Sequence, residues 1–568
     1  MMLGPEKVWK LRNRPAESIA ALQASLGVSD KICHLLVNRG IDTFEAARDF
    51  FRPHKDLLHE PLLMKGMQAA LDRIDRARKE GEKVMIYGDY DVDGTTSVAI
   101  VYDFFKKYYN RPGSDCVHFY IPHRYNEGYG LSFKGLDEAQ ALGCTLLITL
   151  DCGTKETEKI AYANSLGMDV IVCDHHTPSD PVPPAFALLN PKQEGCPYPF
   201  KELSACGIGY KLLTALSSLW KTGAAAVSCY LDLVATSIAA DIVPLTGENR
   251  VLAYLGLQKA NENPCLALRA LKNLSGFTRS FTISDLVFII SPKINAAGRM
   301  DDARKAVELF LADTEDTARV VARLLHSDNE ERREVDRITT EEALTLMTAP
   351  AYARRKSTVI YKENWHKGVV GIVASRLIDH YHRPTIVLTR SNGKVTGSAR
   401  SVAGFNIHDA IQQCGDLLDS FGGHFFAAGL TLSPENLDPF IEKFENVVTD
   451  TISEESLYPV IDIDTEISFS DITPKFYNIL KQMQPFGPCN MRPVFITRGV
   501  RNRNSRIVKE AHIRFDLWQA DRIFTGIGFN MASKFSLLQQ DSFDMVYCIE
   551  ENEWQGNTIL QLRVLDIR

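Results

Sequence analysis

Between residues 84 and 174 the chain repeats one pattern four times, an apolar run too short for a helix followed by a longer polar or helical stretch. The runs are VMIY at 84–87, VHFYI at 117–121, TLLITL at 145–150 and DVIVCD at 169–174, and segments such as TTSVAIVYDFFKKYY and 155–167 lie between them with helical spacing. Unbroken apolar strands alternating with helices predict a parallel sheet buried on both faces under helices. In such sheets ligands lie beyond the carboxyl ends of the strands. The residues that follow each run are therefore the ones to examine for chemistry.

The first run leads into IYGDYDVDGTTS at 86–97, which crowds Asp89, Asp91 and Asp93 between a strand and a helix. Carboxylates that close repel strongly unless a cation neutralises them, and oxygen ligands suit hard ions such as Mg²⁺ and Mn²⁺. The D-x-D-x-D-G spacing also opens a calcium EF-hand loop, but the twelfth loop position should then be Glu and is Ile100. The bland alternative is a solvated acidic turn. LLITLDCGT places Asp151 at the next strand end, where a lone aspartate could simply cap a helix. VIVCDHHT places Asp174, His175 and His176 at another, and IAADIVPL ends an apolar helical run on Asp241. Histidine is the commonest transition-metal ligand, and a neighbouring carboxylate can set its tautomer. Each motif is modest alone. Together Asp91, Asp93, Asp151, His175 and Asp241 supply enough ligands for two cations about 3.5–4 Å apart, the arrangement used for in-line phosphoryl displacement.

At 568 residues the chain is too long for one core. A polar helix is expected over 314–347, and a second αβ pattern runs from 357 to about 450, with strands STVIY and TIVLT, a helix GVVGIVASRLIDHY and a Gly-rich turn SFGGHFFAAGLTL. Beyond 455 short alternating segments such as RPVFITRGV, HIRFDLWQ and ILQLRVLDI predict a small all-β barrel. Residues 1–80 read as a helical lead-in. The net charge of −7 weighs mildly against a nucleic-acid binder, but 498–514 is locally basic, with Arg498, Arg501, Arg503, Arg506, Lys509 and Arg514 against Glu510 alone. Its arginines, with aromatics such as Trp518 and Phe524, would suit a groove that tracks a nucleic-acid backbone and stacks bases; alternating aromatics are more often core, so no individual residue is assigned to stacking. Twelve cysteines without a CxxC pair read as reduced core residues of a cytoplasmic protein. The amino terminus has no apolar signal core, and the most apolar stretch, 222–245, is interrupted by Asp232 and Asp241.

GDYDVDG, LDCG, DHH and ADIVP, in that order, resemble the signature of the DHH-superfamily phosphoesterases. PHRYNEGYGLS at 122–132, INAAGRMDDA at 294–303, NWHKGVVGIVASRL at 364–377, GSARS at 397–401 and GGHFFAAG at 422–429 narrow the resemblance to the RecJ family within it. The resemblance implies a multidomain α/β protein: a lead-in at 1–80, a parallel-sheet DHH domain at 81–313, a connecting helix at 314–348, a second α/β DHHA1 domain at 349–450 and a C-terminal OB-fold barrel at 451–568. It implies a 5′-to-3′ exonuclease of single-stranded DNA, dependent on two Mn²⁺ or Mg²⁺ ions and acting in recombination and repair. Single-stranded DNA is the implied partner, with a single-strand-binding protein and a helicase beside it and no membrane. Carried over position by position, Asp91, Asp93, Asp151, His175 and Asp241 are metal ligands, Asp151 bridging, and His176 faces the scissile phosphate. Tyr87 stands where some relatives carry a histidine ligand, which leaves Asp89 open as a ligand, an acceptor behind the ligands or a base for the attacking water. Arg124, Arg299, Ser398 and Arg400 match positions that hold the 5′ end, as guanidinium groups grip phosphate bidentately. The family usually has glycine at Ala399. His424 would face the bound strand or order its turn.

Two other readings use the same residues. A phosphodiesterase of short oligonucleotides or cyclic dinucleotides would resemble 80–450 but lack the β-rich tail. A DNA-binding scaffold that has lost catalysis would show decayed ligands, whereas all are intact here.

Overall fold

The computed structural model describes residues 6–110, 114–554 and 557–568, so the first five residues of the amino-terminal segment lie outside it. The chain forms two compact units, one of Thr43–Glu330 with Lys481–Arg492, the other of Met1–Asp42, Glu331–Leu480 and Pro493–Arg568. No helix among the described residues is long and apolar enough to cross a membrane. None of the twelve cysteines is in a disulfide; most are buried, with Cys229 and Cys489 exposed.

The first unit is built on five strands, β1 (Lys83–Gly88), β2 (Val117–Tyr120), β3 (Cys144–Leu150), β4 (Asp169–Cys173) and β5 (Ala187–Leu189). They are all parallel, in the order β2-β1-β3-β4-β5. The apolar runs explain this placement, because β1, β3 and β4 are buried along nearly their whole length and alternate residues feed two cores. Val84 and Ile86 pack with the helices α1 (Val92–Tyr108), α2 (Ala205–Trp220) and α3 (Leu231–Ala240), while Met85 and Tyr87 pack into the opposite layer. The chain leaves β1 for β2 on one side and returns to β3 on the other, so the winding reverses between β1 and β3. At such a reversal the two connecting loops diverge and leave a crevice at the strand ends.

Two buried polar arrangements tie this unit together. Lys211 of α2 pairs with Glu248, their side chains 2% and 1% exposed. Glu248 also accepts from the Tyr198 hydroxyl and the His59 amide, and Lys211 donates to the His59 carbonyl. Arg250 donates to the carbonyls of Phe50, Met483, Gln484 and Pro485, and the Leu245 amide bonds the Pro488 carbonyl at 2.8 Å. This explains why Lys481–Arg492, remote in sequence, belongs to this unit.

A 32-residue helix, Glu315–Leu346, follows, its first half in one unit and its second half in the other. In the second unit β6 (Thr358–Tyr361), β7 (Thr385–Ser391), β8 (Lys394–Arg400), β9 (Ser420–His424) and β10 (Ala427–Leu432) form a mixed sheet in the order β9-β10-β8-β7-β6, with a helix at Val370–Tyr381. SFGGHFFAAGLTL, expected as a Gly-rich turn, is instead the β9–β10 hairpin, with Gly422 opposite Gly429. Glycine's poor strand propensity hides it. Residues 8–11 of the lead-in, expected as helical, form a strand paired with Val460–Ile463; that ladder partner is too distant in sequence to leave a local signal. Beyond Pro493 lie β11 (Phe495–Asn502), β12 (His512–Gln519), β13 (Arg522–Gly528), β14 (Phe543–Trp554) and β15 (Asn557–Ile567). They are ordered β11-β14-β15-β13-β12, and β12 pairs back to β11 through Arg501 and Trp518, which closes the predicted barrel.

Candidate metal centre

The strand ends on either side of the winding reversal deliver Asp89 after β1 and Asp151 after β3, and Asp174, His175 and His176 follow β4. Asp91 is the N-cap of α1, its Oδ1 accepting the Gly94 amide at 3.0 Å. Asp93, expected on the loop, lies instead in the first turn of α1. Its carboxylate accepts the Ala205 and Cys206 amides at 2.8 and 2.9 Å and the Ser237 hydroxyl at 2.7 Å. The first amides of α2 thus anchor a negative group at the positive end of a helix. Asp241 is the C-cap of α3, so it arrives from a helix end rather than from the sheet. A side chain at Gly94 would put Cβ 2.4 Å from the Asp89 carbonyl oxygen, and the Asp89 main chain cannot withdraw without dragging its carboxylate. Gly94→Ala is expected to weaken divalent-cation affinity about 10- to 100-fold, measured by calorimetric titration with Mn²⁺.

These side chains converge. His175 Nε2 lies 3.4 Å from Asp151 Oδ1, 3.4 Å from Asp241 Oδ2 and 3.9 Å from Asp93 Oδ2. Neighbouring ligands of an octahedral ion at about 2.1 Å stand about 3 Å apart. Two sets, Asp93–His175–Asp241 and Asp89–Asp91–Asp151, each bring one ligand atom per residue within 4.8 Å of the others, and Asp151 also groups with His175 and His176. Asp151 therefore groups with ligand atoms on both sides. Asp89 Oδ1, Asp151 Oδ1, His175 Nε2 and Asp241 Oδ2 are buried and have no hydrogen-bond partner. A buried polar atom without a partner is costly, and four aimed at one place fit a cation. Tyr87 is fully buried and its hydroxyl bonds the Gly130 carbonyl and the Ser132 amide, so no ligand comes from that position.

The electrostatics agree. Burial, then the neighbouring Asp91 charge, raises the Asp89 and Asp93 carboxyls, Asp93 to about 6. Burial, then the Asp93 charge, raises Asp151 and Asp241 well above the usual range. Burial, with the His176 charge next, lowers His175 to about 3, so it is neutral and able to ligate. His176 behaves oppositely. Burial, the largest influence, lowers it, but the hydrogen bond to Asp174 and the charges of Asp174, Asp91 and Asp93 together outweigh burial and raise it. His176 Nδ1 stands 2.7 Å from Asp174 Oδ1, and Asp174 also accepts the amides of His175, His176 and Thr154.

Asp174 is the carboxylate that orients His176, the neighbour that DHH places beside it. Sequence reasoning misses two other supports. Asp151 takes a left-handed φ of 62°, an unusual conformation for a residue other than glycine. Tyr129 bonds its carbonyl at 2.9 Å. In the same unit, the Arg124 guanidinium lies 4.7 Å from the Tyr90 ring centre, and the Tyr125 hydroxyl donates to the Arg299 carbonyl, so the 122–132 loop is tied to the residue bearing the second arginine. In the other unit Ser398 and Arg400 stand on β8 opposite Gly429 and Ala427, and exposed His424 ends β9. A Cβ on Gly371 would lie 2.9 Å from Arg400 Nη2 and 3.3 Å from Ser398 Oγ, so glycine there leaves room for both side chains. On the barrel, Arg498 is ion-paired with Glu466 and Asp544 and Arg501 covers Trp518. Half-buried Phe524 packs edge-on to buried Phe469.

Comparison with known proteins matches residues 83–238 to the DHH family, N-terminal domain, 355–450 to the DHHA1 domain and 463–566 to the RecJ OB domain. The single-stranded-DNA-specific exonuclease RecJ of Bacillus subtilis (strain 168) is 34% identical over 571 residues, 100% of this chain and 71% of that protein. The protein of the same name from Escherichia coli (strain K12) is 31% identical over 98% of this chain and 99% of its own length. The crystal structure of RecJ in complex with Mn²⁺ from Thermus thermophilus superposes with a TM-score of 0.84 at 26% identity, covering 99% of this chain and 79% of that one.

Proposed function

The chain belongs to the RecJ family of DHH phosphoesterases, and on that premise we propose that it is a metal-dependent exonuclease that degrades single-stranded DNA from the 5′ end in recombination and repair. The observation that carries this reading is the convergence of buried, unpartnered ligand atoms of Asp89, Asp151, His175 and Asp241 where the winding reverses. Two divalent cations, Mn²⁺ or Mg²⁺ as in the RecJ crystal structures from Thermus thermophilus, would be held there by Asp89, Asp91, Asp93, Asp151, His175 and Asp241. Bound there, such ions supply Lewis acidity toward phosphoryl oxygens and make water acidic enough to attack near neutral pH.

The remaining work falls to the chain itself. Asp93, held by the α2 amides, and Asp241, at the end of α3, fix two helices to the centre. Asp174 engages His176 Nδ1 and favours its protonated form, so His176 offers positive charge and a proton to the scissile phosphate. Asp89 is assigned as a ligand on the strength of its unpartnered Oδ1. Arg124, Arg299, Ser398, Arg400 and His424 are assigned to the phosphates and the strand. A single-strand-binding protein and a helicase are the protein partners to test, and the cytoplasm is the compartment.

The deciding experiment is product analysis on long single strands labelled at the 5′ or the 3′ end, with Mn²⁺ and with chelator. Mononucleotides released first from the 5′ end, only with the metal, are expected; release from the 3′ end, or chelator-resistant cleavage, overturns the reading. Arg299→Ala and Arg400→Ala should each raise KM for 5′-phosphorylated strands about tenfold while kcat holds within about twofold. An unchanged KM in both removes them from the phosphate contacts.

A further inference from the structure

We infer that Tyr129 is a positioning residue, whose hydroxyl holds the Asp151 main chain and the His176 ring in register with each other. This rests on the metal-centre reading above and extends it to a side chain that touches neither the metal-ligand atoms nor the phosphate-binding arginines.

The Tyr129 hydroxyl donates to the Asp151 carbonyl at 2.9 Å. The same oxygen is 3.3 Å from His176 Nδ1 and 3.4 Å from His176 Nε2. A phenol has one proton to give; it goes to the Asp151 carbonyl, and the same oxygen lies against the His176 ring. Because it is nearly equidistant from the two nitrogens, it restrains the tilt of the ring, while Asp174 on Nδ1 sets the tautomer. Asp151 is the residue whose left-handed backbone turns its carboxylate into the centre, and its carbonyl must be satisfied in that unusual orientation. Tyr129 satisfies it.

The loop that carries Tyr129 is braced. Glu127 accepts the His123 amide at 3.0 Å, the Tyr120 hydroxyl at 2.8 Å and the Ser132 hydroxyl at 2.6 Å, which braces the loop on which Tyr129 stands. The Tyr90 ring meets Tyr129 edge-on at 6.4 Å. Tyr129 is 47% exposed, so removing its oxygen alone takes little packing from the fold. Its contribution is directed at two groups of the centre.

The test uses the full chain carrying Tyr129→Phe. Calorimetric titration should show Mn²⁺ affinity weakened and steady-state cleavage of a labelled single strand should show kcat lowered, each about 10- to 100-fold, with KM within about twofold and the melting temperature unchanged. In a cycle with His176→Ala, the two kcat penalties should be less than multiplicative, because both act on one ring. Unchanged kcat and Mn²⁺ affinity overturn the inference, as do fully multiplicative penalties. A melting temperature lowered in proportion to the activity makes the hydroxyl a structural group and overturns it as well; Glu127→Gln, which loosens the brace without touching the hydroxyl, would in that case reproduce the kcat loss. If the unaltered chain neither binds Mn²⁺ nor cleaves, the exonuclease reading fails first, a result distinct from a normal wild type beside an unaffected Tyr129→Phe.

Discussion

Asp151→Asn is expected to lower Mn²⁺-dependent cleavage by a factor on the order of a thousand or more, and at the same time to make the metal-free protein more stable. The first effect follows from position, since Asp151 groups with ligand atoms on both sides of the centre and a neutral amide would hold divalent cations far more weakly than a carboxylate. The second follows from charge. Asp151 is buried, with its Oδ1 unpartnered, among the carboxylates of Asp89, Asp91, Asp93 and Asp241, and burial with those neighbours raises its carboxyl. A carboxyl raised on folding binds protons more tightly in the native state than in the unfolded chain. Stability therefore falls as pH rises above the unfolded carboxyl range and recovers as pH falls. With chelator present, the unaltered chain should melt higher near pH 5.5 than near pH 8 on this account. Asp151→Asn should shrink that difference and raise the melting temperature near neutral pH by roughly 2–4 °C. Mn²⁺ should stabilise the unaltered chain strongly and the variant weakly. A variant that melts lower without metal, or cleaves normally with it, contradicts the cation-cage account.

Glu248→Ala is expected to cost about 3–5 kcal/mol, the range for removing one partner of a buried ion pair. Lys211 keeps its ammonium beneath the surface, and burial holds its pKa below the usual lysine range even with Glu248 beside it. Without Glu248 it is left to the His59 carbonyl, and the His59 amide and the Tyr198 hydroxyl lose their acceptor as well. Lys211→Met with Glu248→Leu should recover most of the loss, because paired apolar groups leave nothing unsatisfied. Denaturant titration of the two variants measures both. A loss under about 1 kcal/mol in the single variant would show that the pair is effectively solvated.

The sheet and the acids at its strand ends are legible in the sequence because both are local. Four apolar runs name the strands, and the residues after them name candidate ligands. What the sequence does not display is the cross-chain support. Asp93 is anchored by amides more than a hundred positions away, and nothing in VDG or LSACG announces that meeting. The left-handed turn at Asp151 is hidden because left-handed backbone is read from glycine, and the glycine of LDCG lies two residues further on. The β9–β10 hairpin reads as a turn because its glycines mask a strand. The arginines of 498–514 look like one basic face, yet Arg498 meets acids from segments that only the folded barrel assembles.

The path of Lys481–Arg492 bears on how this gene can be divided. By sequence these residues introduce the barrel, yet Arg250 holds their carbonyls and Leu245, four positions past Asp241, bonds Pro488. Ending the polypeptide before position 481 would discard more than an accessory module. It would take from a buried guanidinium the carbonyls of Met483, Gln484 and Pro485 and expose the stretch that leads out of Asp241, so the nuclease half is not a freestanding cassette bounded by its family signature.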